Sequence, residues 1–401
     1  MHPKKSFQSI LSGTLLIAGT TVGAGMLGIP LVTGEAGFAP AMLITVLAWA
    51  FMLCTGLLLL EVSLWMPEGS NILSMSKRFL GSKGKWFAGS MFVFLYYCLM
   101  VAYFAAGAPL LMGFLEEITG IAIQGTASYF LFGAFFAVIV AHGVKSIDRV
   151  NIILVVSMVI AYFLLLGAGS KEVSFSKLQP SHFSKMFISV PILFSAFGFH
   201  NVIPPLCTYL KKDRKSLQLA IVFGTTLPLL VYILWQWLVI GSVPSEMIKQ
   251  TLEQGGTAAQ ALEHIVGNPW VSKLAKFFAF FAIITSLLGV AFSMVDFLQD
   301  AWKDTVIRSK RTFLSIVTFF PPFLFVCLDA TLFDKALSLA GGFGESILNG
   351  LLPVSLVWVG RYKKRLESES PLPGGKTLLI FLYVLSLSVI VLEVFQLFFG
   401  F

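Results

Sequence analysis

The residues from Ile17 to Pro30 read IAGTTVGAGMLGIP, and their types and spacing suit the binding of a small molecule. They lie inside an apolar run long enough to cross a bilayer, yet four glycines and two adjacent threonines interrupt its centre. In hydrocarbon, an unwound backbone is tolerated only where it lines a cavity, because each unpaired N–H or C=O group costs several kcal/mol. The segment therefore predicts a binding site inside the membrane.

A second apolar run, from Val190 to Leu210, is interrupted in the same way. It reads VPILFSAFGFHNVIPPLCTYL and carries glycine, histidine and proline at its centre. Pro30 and Pro204 follow the two interruptions, and proline is favoured in the first turn of a helix, where an N–H would lack a partner. We therefore predict two spans that each divide into two half-helices, the second halves beginning near these prolines.

The ends of such half-helices carry partial charges that suit a zwitterion. A helix N-terminus, with about half a positive charge, attracts a carboxylate, and C-terminal carbonyls attract an ammonium group or a cation. The carbonyls concerned lie near Gly19 and Phe197. This arrangement predicts a free amino acid as the ligand.

Ionisable side chains inside apolar spans are rare, and each is a candidate for function. Glu61, at the end of LLLLEV, can hold the two interrupted spans together or pair with a loop lysine. His200 can bind a polar substrate group and act as a proton-linked switch, or it can be satisfied by freed backbone carbonyls. We expect Asp296 near the cytoplasmic end of its span, with a gating partner such as a loop arginine. Glu345 follows three glycines and has no evident partner.

Hydroxyl and aromatic side chains near the predicted site complete the candidates. Thr285 and Ser286 are adjacent in one span, where their oxygens can bind a sodium ion or bond to their own backbone. Flat rings with a polar edge can line a pocket for an aromatic ligand, although packing and lipid contact compete for such residues. The aromatic candidates are Tyr97, Tyr103, Phe197 and Phe199.

The composition places all these residues in a membrane. The 401 residues are 57% hydrophobic and 12% charged, about half the charged fraction of a soluble domain. Apolar segments of about 20 residues, the length of a membrane span, recur eleven times. Most of the 28 Lys and Arg lie in loops on one side if the N-terminus is cytoplasmic, so the C-terminus is predicted outside. This topology explains the net charge of +8 without nucleic acid as a partner.

The interruptions also predict how the chain is organised. Each interrupted span begins a block of five spans, and because five is odd, the two blocks have opposite orientations in the membrane. We therefore predict an all-α integral membrane protein of eleven helices with a five-plus-five inverted repeat. The predicted units are residues 1–168, residues 169–358 with an outer lid loop at 242–269, and a cytoplasmic loop with an added span at 359–401. Interrupted spans at matching positions of inverted halves are typical of secondary transporters.

Other classes of membrane protein fit the sequence less well. A channel needs a continuous polar or charged ring, whereas polar groups concentrate here at two interruptions. An enzyme needs a nucleophile with a base or a metal cluster, and the chain has neither GxSxG nor HExxH. Its four cysteines have no metal-binding or redox spacing. No cofactor is predicted.

Five segments in this order resemble the bacterial hydroxy and aromatic amino acid permease family: IAGTTVGAGMLGIP, LLLLEV, VPILFSAFGFHNVIP, TSLLGVAFSMVDFLQD and PGGK. The resemblance implies the leucine-transporter type of fold, within the amino acid/polyamine/organocation superfamily. It also implies import of tyrosine with protons across the bacterial inner membrane. Sodium coupling, through Thr285 and Ser286, and tryptophan or a hydroxy amino acid as substrate remain alternatives. The oligomeric state does not follow from it.

The resemblance also assigns the interrupted segments to the substrate. Together with the aromatic candidates, these assignments give one set of predicted substrate contacts and one set of residues for ion coupling or gating. The predicted substrate contacts are Gly19, Thr20, Thr21, Gly23, Ala24, Gly25, Tyr97, Tyr103, Phe197, Gly198, Phe199 and His200. The residues predicted for ion coupling or gating are Glu61, Thr285, Ser286 and Asp296.

Overall fold

A computed structural model describes residues 3–143, 147–263, 269–301, 311–368 and 372–399 of the chain. All regular secondary structure in these residues is helical. Nine of their helices are long and apolar enough to cross a membrane, and a tenth results if the bent pair Gln8–Thr21 and Ala24–Gly34 is one span. The apolar helix Thr126–His142 has only 17 residues. Helices of this length and apolar character fit the hydrocarbon core of a bilayer, in which a helix can pair all its own backbone groups. The chain is therefore a multi-pass membrane protein.

The first part of the chain forms six helices, with a 3-10 turn at Ala24–Leu27 between the first two. An Asn71 capping box begins the fourth helix, and Gly81, with φ of 77°, divides it into a short and a long section. The helices are α1 (Pro3–Thr21), α2 (Ile29–Gly34), α3 (Phe38–Trp65), α4 (Ile72–Thr119), α5 (Thr126–His142) and α6 (Ile147–Gly169).

The described residues in the middle of the chain form eight helices and three 3-10 turns, at Ser170–Glu172, Phe183–Ser189 and His200–Val202. The helices are α7 (Phe175–Leu178), α8 (Val190–Ala196), α9 (Ile203–Tyr209), α10 (Arg214–Ser242), α11 (Ser245–Glu253), α12 (Ala258–Glu263), α13 (Pro269–Ala301) and α14 (Arg311–Leu328). Helices α11 and α12 fall in the predicted lid loop, of which residues 264–268 lie outside the described part of the chain.

The last part of the chain departs from regular α-helix in two places. Helix α15 (Phe333–Leu339) continues into a π-helical stretch, Ala340–Leu351, and then into α16 (Leu352–Trp358). A shorter π-helical stretch, Val359–Lys363, follows, and α17 (Gly375–Phe399) is the final helix. π-Helix is rare and occurs mostly as single turns, frequently at functional sites. The twelve π-helical residues Ala340–Leu351 are therefore a candidate functional element.

Long helices from elsewhere in the chain pack around the helices that carry the two interruptions. Helix α1 lies along α10, and α13 packs against both α4 and α6. The long π-helical stretch packs against α8, α4 and α17. Side chains of α4, α10, α13 and this stretch can therefore reach the interrupted segments, and α3 packs against both α8 and α9.

Candidate functional site

Helical structure is interrupted between α1 and α2. Helix α1 ends at Thr21, Gly23 is extended, and α2 begins at Ile29 with Pro30 in its first turn. The segments before and after the interruption are bent by 49°. The Ala24 N–H, which no helix turn satisfies, donates to Oγ of Ser286 on α13 at 2.9 Å.

A second interruption separates α8 from α9. Helix α8 ends at Ala196, and α9 begins at Ile203 with Pro204 in its first turn. The two interruptions touch, because a Cβ added to Gly25 would lie 3.0 Å from the Cα of Ala196. Only glycine at position 25 permits this approach without a shift of the backbone.

Two side chains of α10 hold the interrupted segments in place. The Tyr232 hydroxyl lies 2.7 Å from the Thr21 carbonyl oxygen and 2.8 Å from that of Ala196, so that it bridges the last residues of α1 and α8. Trp235 donates from Nε1 to the Met26 carbonyl at 3.0 Å. Both side chains are fully buried. The freed carbonyls thus have partners from a helix that sequence reasoning had not connected with the site.

A cavity of about 490 Å³ lies against both interruptions. This volume falls in the range of roughly 300–1,000 Å³ that is usual for small-molecule sites. Ten of the predicted residues line it: Gly19, Thr20, Thr21, Gly23, Ala24, Gly25, Tyr103, Gly198, Thr285 and Ser286. Its wall also includes Tyr96 of α4, Ser195, Asn201, Ser293 of α13, and Glu345 and Asn349 of the π-helical stretch. The wall therefore combines main-chain groups, hydroxyls, two phenol rings and one carboxylate.

Four predicted substrate contacts do not line this cavity. The Tyr97 hydroxyl donates to the Val317 carbonyl on α14 at 2.9 Å, because successive residues of a helix differ by about 100° in direction. Tyr96 therefore faces the cavity in its place. Phe197 packs against the Tyr232 ring, with ring centroids 4.9 Å apart.

Phe199 and His200 are directed towards α3. A Cβ added to Gly56 would lie 2.5 Å from the Phe199 ring. Nε2 of His200 lies 3.0 Å from Oγ1 of Thr55, and the histidine is fully buried. Both rings therefore pack against α3 and lie outside the wall of this cavity, and Nδ1 of His200 has no hydrogen-bond partner among the described residues.

The two acids predicted for coupling or gating lie away from the central cavity and are paired with arginines. Glu61 accepts from Nε and Nη2 of Arg361 at 2.7 and 2.5 Å, so that its partner is neither a lysine nor the interrupted backbone. This ion pair joins α3 to the short π-helical stretch. Asp296, which is 59% exposed, lies 3.3 Å from Nη1 of Arg311.

Thr285 and Ser286 line the cavity, but their hydroxyls already have protein partners. The Thr285 hydroxyl donates to the Phe281 carbonyl at 2.8 Å, within its own helix. The Ser286 oxygen accepts from Ala24, as described above. Thr285 thus bonds to the backbone of its own helix, whereas Ser286 bonds to the main chain of the first interruption.

A second cavity, of about 740 Å³, adjoins the first and contains Asp296 in its wall. The two cavities share Ile72, Phe92, Tyr96, Asn201 and Ser293. The second extends to Gly69, Ser70 and Asn71, in the loop between α3 and α4. A route therefore leads from the interruptions to the end of the bundle at which this loop lies.

Sequence reasoning missed three groups that build the site: Tyr96, Tyr232 and Glu345. The tyrosines carry no local signal, because aromatic residues are abundant throughout the chain. Glu345 does carry one, since it is an acid in an apolar span, and the three glycines before it permit close helix packing. That signal could not be assigned a role from the sequence, because the neighbour that matters, the interruption at Gly198, is distant in the chain.

An apolar helical bundle with a cavity at two helix interruptions has the architecture of a secondary transporter. The fold is similar to that of MhsT, solved in complex with L-phenylalanine, with a TM-score of 0.65 over 97% of this chain and 98% of that one. Sequence identity between the two is 17%. The chain thus has a fold of the leucine-transporter type.

Residues 6–393 match the tryptophan/tyrosine permease family. Tyrosine-specific transport system 1 of Haemophilus influenzae is 31% identical over 383 residues, or 94% of each chain. The tryptophan-specific transport protein of the same organism is 31% identical over 370 residues, or 88% of each. The chain belongs to the tryptophan/tyrosine permease family, and is a transport protein rather than an enzyme. The resemblance noted in the sequence is confirmed.

Proposed function

We propose that this protein imports an aromatic amino acid, tyrosine foremost, by symport with a cation, most simply a proton. The observation that carries the proposal is the 490 Å³ cavity at the meeting point of two helix interruptions. Main-chain groups at its wall can serve the carboxylate and ammonium of an amino acid. The rings of Tyr96 and Tyr103 offer faces for an aromatic side chain.

The order of elements supports an inverted repeat with eleven spans. An interrupted pair followed by four further spans occurs twice: α1 and α2 with α3 to α6, and α8 and α9 with α10, α13, α14 and the run from α15 to α16. Helix α17 is then the eleventh span. We propose the inner membrane of a bacterium as its location, with a cytoplasmic N-terminus and an external C-terminus, on the basis of the loop cations.

This orientation makes the described conformation an inward-facing one. The route through the second cavity ends at the loop between α3 and α4, which the proposal assigns to the cytoplasm. At the opposite end, Ile248 of α11 packs against Gly34 of α2, and Lys185 pairs with Glu35 at 3.0 Å. We propose that α11 and α12 form the outer lid and that alternating access opens these two ends in turn.

Coupling to one cation would provide sufficient energy for uptake. One elementary charge crossing 100 mV supplies about 2.3 kcal/mol. At about 1.4 kcal/mol per tenfold, this sustains an accumulation of roughly 40-fold. The proposed stoichiometry of one cation per amino acid is therefore adequate.

Uptake by the purified protein in liposomes tests the proposal. Labelled tyrosine should accumulate under an imposed inward proton gradient, and unlabelled phenylalanine and tryptophan should be compared as competitors. A parallel series with a sodium gradient identifies the cation, and protein-free liposomes provide the control. Conversion of substrate without net flux, or flux of none of the three amino acids, would contradict the proposal.

Tryptophan is a second candidate substrate because relatives named for tyrosine and for tryptophan are equally identical to this chain, at 31%. A site built to bond a substrate hydroxyl rejects the analogue without one by a large factor. If tyrosine is the substrate, phenylalanine should therefore compete poorly. Stronger competition by tryptophan than by tyrosine would assign the protein to tryptophan instead.

A further inference from the structure

Glu345 is a buried acid to which the proposed transport cycle assigns no role. It lies in the π-helical stretch Ala340–Leu351, where a Cβ added to Gly198 would be 2.5 Å from its Oε1. The same carboxylate forms part of the wall of the central cavity. It therefore lies between the second interruption and the space proposed for the amino acid.

The helix geometry brings the carboxylate to this point. Gly341 approaches α8 so closely that a Cβ there would overlap the Pro191 carbonyl. The Ser346 hydroxyl donates to the Gly341 carbonyl at 2.9 Å, five residues earlier, which is the spacing of a π-helix. The widened turn and the glycines together allow an acid to reach the interruption.

The surroundings of this carboxylate do not neutralise its charge. Glu345 is only 4% exposed, and its polar partner is Nδ2 of Asn349, a neutral donor. Among the described residues, no Lys, Arg or His forms an ion pair with it, whereas Glu61 and Asp296 each have an arginine. An ionised carboxylate taken out of water without a cation costs several kcal/mol, so the site requires a positive charge from outside the protein.

We propose that Glu345 is the site that binds and releases the coupled proton during transport. This inference rests on the proposed function and names the cation and its binding group. With the site open to the outside, a carboxylate oxygen takes a proton from hydronium. One O–H bond of hydronium breaks, a water molecule leaves, and the new O–H bond makes Glu345 a neutral acid beside the substrate. With the site open to the inside, that O–H bond breaks and the proton returns to water in the route past Tyr96 and Asn201.

Other titratable groups on the elements that pack against this stretch are less suited to the role. Their phenols are neutral near pH 7, and the remaining groups have protein partners or lie outside the cavity wall. Glu393 of α17 accepts from Ser338 at 2.7 Å, Glu61 of α3 is paired with Arg361, and His200 contacts Thr55. These elements carry, among other titratable groups, Tyr96 and Tyr103 on α4, Cys54 and Glu61 on α3, Glu393 on α17, and Asp334 with Lys335 on α15, and His200 follows α8.

Proteoliposomes loaded with the pH dye pyranine test the inference through Glu345→Gln, which keeps the shape of the side chain but cannot titrate. For the unaltered protein, tyrosine added outside should acidify the lumen. For Glu345→Gln the rate of acidification should fall at least tenfold, while exchange of labelled for preloaded tyrosine persists with a changed KM. Glu345→Asp, which keeps a carboxylate, should retain part of the proton flux.

Glu393→Gln is the matched control, because it removes another buried acid that lies outside the cavity wall, and it should acidify the lumen as the unaltered protein does. Undiminished proton flux in Glu345→Gln would overturn the inference. The inference would also be overturned if exchange and the stabilisation by tyrosine in a thermal-unfolding assay were both lost, because Glu345 would then be a substrate ligand. Sodium-driven accumulation without proton flux in the unaltered protein would leave transport standing and overturn this inference alone.

Discussion

Removal of the Tyr232 hydroxyl alone should loosen both helix interruptions. It lies within hydrogen-bond distance of the Thr21 and Ala196 carbonyls, the last residues of α1 and α8. Tyr232→Phe removes this donor and adds no bulk. We expect uptake to fall, because two buried carbonyls at the cavity would lose the donor that they share.

The expected magnitude follows from the bonds lost. An unsatisfied buried polar group costs about 1–3 kcal/mol, although hydrogen bonds between membrane helices average only about 0.6 kcal/mol. Because one hydroxyl proton serves two carbonyls, we take about 1–3 kcal/mol for the pair. At about 1.4 kcal/mol per tenfold, the equilibrium constant for holding both interruptions in place would fall by roughly five- to hundredfold, and this factor is the largest fall expected in kcat/KM for uptake.

Tyr162→Phe is a matched control for this prediction. Tyr162 also donates to a buried backbone carbonyl on α10, that of Val231, at 2.8 Å, but it touches neither interruption. Thermal unfolding in detergent should show similar destabilisation for both variants. Initial rates of labelled tyrosine uptake should fall only for Tyr232→Phe, and equal rates for the two variants would refute the assigned role.

Three further predictions concern the cavity and the lid. Gly25→Leu should reduce uptake at least tenfold while the protein still reaches the membrane, because the added side chain meets Ala196; Gly113→Leu, with open space around position 113, is the control, and normal uptake by Gly25→Leu would count against the site. Tyr97→Phe should leave the KM for tyrosine within twofold, since Tyr97 bonds to Val317 outside the cavity, and a larger rise in KM would place it at the substrate. Burial raises the pKa of Glu263 in α12 from 4.5 to about 7, with Lys276 opposing the shift. The folded protein therefore holds this proton more tightly than the unfolded chain, so the free energy of unfolding should fall as pH rises from about 4.5 to 7. Glu263→Gln should flatten that dependence in unfolding midpoints at pH 5 and pH 7.5, and identical slopes would contradict it.

Local composition was a sufficient guide to several cavity residues and to the apolar helices, of which nine or ten among the described residues are long enough to cross a membrane. Glycine and proline act on the backbone where they stand. Accordingly, Pro30 and Pro204 lie in first helical turns, and the segment from Gly19 to Gly25 lines the cavity. The same segments carried the resemblance that the family match confirms.

Side-chain direction could not be predicted in the same way. In a soluble helix, polar residues mark the exposed face, but lipid is as apolar as the protein interior, so the outer and inner faces of a membrane helix have similar composition. Tyr97 was therefore as good a candidate as Tyr96, and Phe199 and His200 as good as Asn201. Contacts with α3 and α14 determine which of them reach the cavity.

The sequence by itself determined a multi-pass helical protein of the tryptophan/tyrosine permease family and the segments that border its cavity, because those properties depend on neighbouring residues. Tertiary structure alone decided that Tyr232 would bridge α1 and α8, and that Glu345 would lie against Gly198. Gly198 and Glu345, for example, are more than a hundred positions apart in the chain. Each of these contacts depends on how whole helices pack against one another, and a local pattern of residues does not determine that packing.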